Sequence, residues 1–361
     1  MKKVSIIGAG PSGSYLACIL ANHGFEVSVF EEHDKVGFPV QCTGITTSFL
    51  KELVELKKEF VINKVSKARI FSTNKDFVDI RIKENFVLDR AKFDHYLMKK
   101  AEKQGVKFFL GHRFVGADKN TIRIQKAKSK IIKEIKTDYI VGADGPLSDV
   151  ARSFKFKNKK EFLYGIQARV KLKNNNIVEF YPYIGEYAWV VPESKEIVRI
   201  GVASGKNTKK IFDDFIRERL KENQIMEIQA GLIPVYNPKA KVQKNNVFLL
   251  GDAAKMVKAT TGGGIIPGIL GAKALANSII KRKDYNTQLK KLVKKELLIH
   301  LKARHIMNKF SNKDWDYLIK ICNNPKIKKI LSENERDFIS RILIESIIAE
   351  PRLLYFAKFI F

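Results

Sequence analysis

The chain has 361 residues, enough for one large or two smaller domains, and its 45% hydrophobic content is ordinary for a globular fold with a substantial core. No apolar run approaches the roughly 20 residues that cross a bilayer, and the three cysteines, Cys18, Cys42 and Cys322, lack the number and spacing of a disulfide framework or a zinc site, so no metal is expected. Lys and Arg total 67 against 38 Asp and Glu, a net charge of +29 that calls for an anionic partner or reflects a composition rich in Lys, Asn and Ile. No base-reading motif accompanies the charge, so nucleic acid is not expected; an anionic membrane surface is the other candidate.

Val4 to Ile7 reads as a strand and leads into Gly8-Ala9-Gly10-Pro11-Ser12-Gly13, a helix, and a second strand, Val27-Ser28-Val29-Phe30, that ends at Glu31 and Glu32. Strand, glycine turn, helix, strand and acid form the fingerprint of a dinucleotide site on a doubly wound sheet. Gly8 allows the tight turn, Gly10 removes the side chain that would block a pyrophosphate, and Gly13 lets the helix approach the sheet. The helix starts at Pro11 and Ser12, and the free N–H groups of its first turn face phosphate charge. Glu31 is placed to accept hydrogen bonds from ribose hydroxyls. Met1-Lys2-Lys3 leads straight into the first strand, so a cytoplasmic location is expected, on the inner face of the membrane if the protein is peripheral.

Lys51 to Lys58 is predicted as a short amphipathic helix, and the alternation in residues 67–72 and 77–82 predicts strands. A helix follows over Asp89 to Gln104, then a strand over Val106 to Leu110, a hairpin within 118–136, and a buried strand at Tyr139-Ile140-Val141. From about 160 to 238 the pattern changes to short alternating strands, a mostly antiparallel second layer with one helix at Lys209 to Glu222. Val247 to Leu250 resumes the first sheet, and beyond Ile265 the chain reads as helical almost to its end. Phe338 to Ile348 is an amphipathic helix broken at Pro351, and the apolar tail beyond it either lies in a membrane interface or packs on the protein.

Three later segments narrow the dinucleotide. Gly142-Ala143-Asp144-Gly145, with Ser148 at the next helix start, follows a strand. Gly251-Asp252-Ala253-Ala254 does the same a hundred residues later and precedes Thr260-Thr261-Gly262-Gly263-Gly264-Ile265. Arg90 stands in Leu88-Asp89-Arg90-Ala91. Together with the first turn they resemble the flavoproteins built like the aromatic hydroxylases. That resemblance implies FAD, with Asp252 near the ribityl hydroxyls, Arg90 as a cationic contact, and Gly262, Gly263, Gly264 and Ile265 opening a helix toward the isoalloxazine ring. Asp144 either contacts the cofactor or braces its turn, and Ser148 caps the following helix.

Gly37-Phe38-Pro39-Val40-Gln41-Cys42-Thr43-Gly44, together with the 258–264 segment and Tyr187-Ala188-Trp189-Val190-Val191-Pro192 with Gly201 beyond it, resembles the geranylgeranyl reductase family. Such enzymes use FAD to saturate isoprenoid double bonds, and the match covers roughly residues 1–280. Lys255 departs from the family's usual glycine, and no residue of the C-terminal region carries over.

The resemblance implies an α/β fold with a doubly wound FAD-binding domain (1–60, 85–158 and 240–282). It also implies an inserted antiparallel-sheet substrate domain (61–84 and 159–239) and a C-terminal helical region (283–361). Val40 and Cys42 are expected beside the flavin. Cys42 either donates the proton that must match hydride delivery to an unactivated alkene or packs as a small residue; a thiol is mostly protonated at neutral pH, as a donor must be. Tyr187, Trp189 and Pro192 are expected to line a channel for a polyprenyl lipid. No second glycine fingerprint is present, so the electron donor, NAD(P)H or a ferredoxin, is expected to dock transiently. Two alternatives stand beside the reductase: a flavin-dependent monooxygenase and a non-catalytic prenyl carrier on the same fold.

Overall fold

A computed structural model describes residues 1–157, 161–220 and 224–360. The chain begins β1 (Lys3–Ile7), α1 (Pro11–Asn22), β2 (Glu26–Glu31), β3 (Ile45–Thr46), β4 (Val61–Phe71), β5 (Phe77–Leu88) and α2 (Arg90–Glu102). It continues through β6 (Lys107–Leu110), β7 (His112–Asp118), β8 (Thr121–Lys126), β9 (Ile132–Lys136), β10 (Tyr139–Gly142) and α3 (Asp149–Ser153). Then come β11 (Phe162–Lys171), β12 (Val178–Tyr181), β13 (Tyr187–Pro192), β14 (Ile197–Ser204), α4 (Thr208–Arg217) and β15 (Ile225–Pro234). β16 (Gln243–Lys244) and β17 (Val247–Leu249) close the strands. Among the described residues six α-helices follow, α5 (Ile265–Lys281), α6 (Tyr285–Leu289), α7 (Lys295–Met307), α8 (Asn312–Cys322), α9 (Pro325–Glu333) and α10 (Ile339–Ala349), and then a 3₁₀ stretch at Pro351–Phe359.

The first sheet has the order β16-β17-β10-β1-β2-β6 and is parallel except at β16. Its central strands are buried on both faces, as the unbroken runs Val4–Ile7 and Ile140–Val141 require. All its parallel strands point their C-terminal ends to one side, where the β1–α1 turn and the β17–α5 segment meet. The second sheet has eight strands in the order β15-β11-β14-β13-β12-β4-β5-β3, antiparallel except where β12 runs parallel to β4. One face packs on α4 through Val190, Ile200, Phe212 and Phe215. β7, β8 and β9 form a separate antiparallel sheet that includes the expected hairpin.

The doubly wound sheet, the antiparallel layer and the helical C-terminal region thus agree with the sequence. Three local expectations change. Lys51–Lys58 is not a helix: a 3₁₀ turn covers Ser48–Glu52, because Leu50, Leu53 and Val54 bury themselves under Phe60 and Phe86 without a continuous helical stripe. β4 and β5 are far longer than their alternating cores suggested, and β3 pairs with β5. The larger sheet therefore draws residues from both expected units. The expected helix at Lys209–Glu222 runs from Thr208 to Arg217, and Glu222 lies outside the described residues. The tail packs on its own helical region: Phe356 is buried, its ring 4.8 Å from Phe310, and Tyr355 donates to Asp314 at 2.9 Å.

Gly8 and Gly13 fix the first turn by close backbone approach. Gly8 has φ +101, and a Cβ there would lie 2.3 Å from the Ala143 carbonyl oxygen; one at Gly13 would lie 2.2 Å from the Gly8 oxygen. Gly13→Ala must therefore lever α1 off the sheet. We expect a loss of about 1–3 kcal/mol, read as a lower thermal midpoint of the protein without added cofactor.

Candidate functional site

The start of α1 and the start of α5 are drawn together by missing side chains. Ser12 Oγ lies 2.9 Å from where a Gly251 Cβ would sit and 2.3 Å from that of Gly268. Gly251 needs its positive φ of +61, and Lys255 also adopts the left-handed conformation (φ +58), which explains why glycine is usual there. Pro11 occupies the first turn of α1, where its missing N–H costs nothing. Gly10, the N-cap, faces open space: a Cβ would meet nothing within 4 Å. The start of α1 therefore offers uncovered N–H groups to open space at Gly10, a fit for a pyrophosphate.

Glu31 stands at the end of β2. Its carboxylate accepts from the Ala9 N–H at 2.9 Å and from the His33 backbone and ring at 3.1 and 2.6 Å, so it buttresses the turn with one oxygen and holds the other at the strand tip. Glu32 points away, with Arg113 3.7 Å distant. Asp144 braces its turn: Oδ2 accepts from Val150 N at 3.0 Å, and the unpartnered Oδ1 lies toward Gly142. Ser148 caps α3 through Ala151 N at 2.9 Å.

The Gly37–Gly44 segment forms a partition. Its end glycines have φ +84 and +74, and side chains there would strike Ala91 and the Leu88 oxygen at 2.7 and 2.6 Å. Val40 and Arg90 line a wide outer cleft, whereas Cys42 lines an inner cavity on the other side. Arg90 pairs with Asp94 at 3.0 Å. Burial pulls its guanidinium down, but Asp94 and the neighbouring Cys42 sulfur outweigh that and leave it above its ordinary value. Asp252 makes no side-chain hydrogen bond among the described residues. Burial pushes its carboxyl up to about 6 against the pull of Arg90. A carboxylate left without partners is what hydroxyl donors would satisfy.

The inner cavity has a volume of about 160 Å³. Gly262, Gly263, Gly264 and Ile265 form one wall; Val178, Phe180, Trp189, Val191 and Ile233 supply the apolar surface opposite. Tyr187 and Trp189 both reach it, and the phenol oxygen and indole nitrogen are buried without partners. Burial raises the Tyr187 phenol. Gly262 makes room for that phenol and Gly201 for the indole, where side chains would approach to 2.3 and 2.4 Å. Pro192 does not join them: at the end of β13, it accepts from Asn63 at 2.8 Å through its carbonyl. Cys42 Sγ accepts from Gly44 N–H at 3.4 Å. The other cysteines are core residues, Cys322 pushed up to about 12 by burial.

Sequence reasoning missed the residues that the C-terminal region contributes. Lys258 pairs with buried Asp337 at 2.5 Å, and Asp337 also accepts from Thr47. Arg304 on α7 donates to the Thr260 carbonyl at 3.1 Å, and His300 bonds Thr260 Oγ1 at 2.7 Å. Burial pushes His300 down to about 3, so it serves as a neutral partner. The loop that carries the glycine triplet is therefore held from outside by α7 and by residues 335–337. The one signal available was the run Glu335-Arg336-Asp337, three charges between apolar helices.

Two facing helix starts, an acid at the strand tip and a glycine wall over an apolar floor define a flavoprotein. The chain matches the profile of the FAD binding domain family over residues 1–282 and belongs to that family; it binds FAD. It is 29% identical to digeranylgeranylglycerophospholipid reductase 3 of Methanosphaera stadtmanae over 92% of this chain and 93% of the relative. It is 26% identical to digeranylgeranylglycerophospholipid reductase of Methanocaldococcus jannaschii over 98% and 97%. Its fold is similar to a geranylgeranyl bacteriochlorophyll reductase-like protein of Thermoplasma acidophilum, with a TM-score of 0.86, 21% identity and full coverage of both chains. A flavin-dependent brominase follows at TM-score 0.72 and 15% identity, with 95% and 93% covered.

The raised Asp252 has a clear sign. A carboxyl whose folded pKa is above its unfolded value favours the folded state most when protonated, and that contribution fades as pH rises from about 4 through about 6. Asp252→Asn should therefore raise the thermal stability of the FAD-free protein at pH 8 relative to wild type, by about 1–2 kcal/mol, and leave it near wild type at pH 4. The same variant should retain FAD less well; gel filtration followed by flavin absorbance measures this.

Proposed function

We propose that this protein is a reductase that saturates carbon–carbon double bonds in the prenyl chains of a membrane glycerophospholipid. The observation that carries the reading is the inner cavity: glycine backbone on one wall, apolar and aromatic side chains opposite, Cys42 at the edge, and no carboxylate among its described lining residues. The names of the relatives point to the same substrate class.

Bound FAD, once reduced, supplies hydride. An isolated trisubstituted alkene has no carbonyl to hold negative charge, so a proton must arrive at the second carbon. Cys42 is the candidate donor at the cavity. The Gly44 N–H fixes its sulfur, and the guanidinium of Arg90 lies close enough to interact with the thiolate left behind. Phe180, Trp189, Val191 and Ile233 exclude water and hold the chain by apolar contact. The electron donor, NAD(P)H or a ferredoxin, docks transiently in this reading.

No helix among the described residues is long and apolar enough to cross a membrane. The lipid is reached instead from the surface: on α10 Leu343, Ile344, Ile347 and Ile348 are 38, 61, 37 and 75% exposed, and Leu354 just beyond is 56% exposed. Arg341, Arg352 and the lysines of α9 stand on the same segment, which suits the headgroup layer of an anionic bilayer.

Incubation with reductant and an unsaturated prenyl glycerophospholipid under nitrogen should give successive two-dalton mass gains; product that forms only with oxygen would favour a hydroxylase. Cys42→Ala should keep FAD and lose at least tenfold in the rate of saturation, and an unchanged rate would remove the donor role. Ile344→Asp combined with Ile348→Asp should abolish sedimentation with anionic vesicles while activity on detergent-dispersed lipid persists.

A further inference from the structure

The charge balance of the inner cavity does not close within the protein. Its described lining holds two cations, Lys258 and Arg336, and no carboxylate. Lys258 is neutralised by Asp337 at 2.5 Å. Arg336 is not neutralised: among the described residues no carboxylate lies within 4 Å of its guanidinium, and its side chain donates no hydrogen bond. Both chain neighbours are committed elsewhere, Glu335 to Ser48 and Asp337 to Lys258 and Thr47. Burial pulls the guanidinium down, opposed by Asp337 and Glu335, yet an arginine remains charged across the physiological range.

Arg336 is half-buried, and a cation partly withdrawn from water without a protein partner is one that an anionic ligand would complete. The cavity also receives the N-terminus of α5, a helix of 17 residues, through Gly262 to Gly264. Two independent positive features therefore border the same space, whose remaining walls are apolar or neutral. Such a space favours a ligand that gains delocalised negative charge there.

We propose that Arg336 is an electrostatic receptor for the negative charge that FAD gains on two-electron reduction, acting with the start of α5. The proposal rests on FAD binding in this cavity and is independent of the lipid substrate. It makes the helical C-terminal region part of the redox site: residues 335–337 clamp Thr47, Ser48 and Lys258 and, in doing so, hold a cation in the cavity. Arginine suits this position better than lysine, because its planar guanidinium is less strongly hydrated and is more readily buried.

The test is the reduction potential of bound FAD, measured by dye equilibration on the full-length holoprotein without lipid. Arg336→Gln should bind oxidised FAD within threefold of wild type but hold the reduced form ten- to a hundredfold less tightly relative to it, a fall of about 30–60 mV for a two-electron couple. Arg336→Lys, which keeps the charge, should recover most of the potential. Should Arg336→Gln fail to fold, Arg336→Met, close in volume, takes the same measurement. An unchanged potential in a folded, FAD-loaded variant overturns the proposal. So does an unchanged potential with a raised KM only for lipids carrying a phosphate headgroup, which would assign the cation to the substrate. If wild type itself takes up no FAD, the flavoprotein reading fails instead.

Discussion

Everything functional in this fold depends on how closely uncovered backbone can approach uncovered backbone. α1 and α5 begin within reach of each other because Ser12 packs where Gly251 and Gly268 have no side chains. Their N-termini carry partial positive charge and unsatisfied N–H groups, which suit the anionic phosphates of a dinucleotide. A Cβ at Gly13 would strike the Gly8 carbonyl and push α1 off its turn, so glycine there is a requirement of distance.

Around that contact the protein arranges two different solvents. The Gly37–Gly44 partition separates a wide, charged outer cleft from an inner cavity walled by Trp189, Phe180, Val191 and Ile233. On the outer side Arg90 is paired with Asp94, whereas the inner side carries mainly apolar surface, the unpartnered Tyr187 phenol oxygen and Trp189 indole nitrogen, Lys258 paired with Asp337, and the unpaired Arg336. Cys42 sits on the partition itself. A sulfur in that position faces an apolar cavity and still has the Arg90 cation near it, a combination that neither side alone would provide.

The C-terminal helices have a structural role beyond covering surface. Ile319 and Leu331 pack on Val78 and Ile80 of β5, so the region is fastened to the larger sheet. From that base α7 reaches the loop before the glycine triplet through His300 and Arg304, and residues 335–337 reach Thr47, Ser48 and Lys258. The flexible part of the site, a run of three glycines, is thereby held by rigid elements far away in sequence.

The amino-acid sequence by itself determined the doubly wound sheet, the first turn and the FAD class. These depend on local pattern: period-two and period-3.6 hydrophobicity, and glycines at fixed offsets from strand ends. It determined the antiparallel character of the second layer but not that β3, β4 and β5 join β11 to β15 in one sheet, because pairing partners a hundred residues apart leave no local trace. Only the tertiary structure decided that Pro192 faces away from the cavity, that Asp144 braces a turn, and that Lys258, Arg336 and Asp337 meet at the site. Whether a buried charge is paired or left open depends on which distant groups fold against it, and burial in three dimensions is not a property of any one segment.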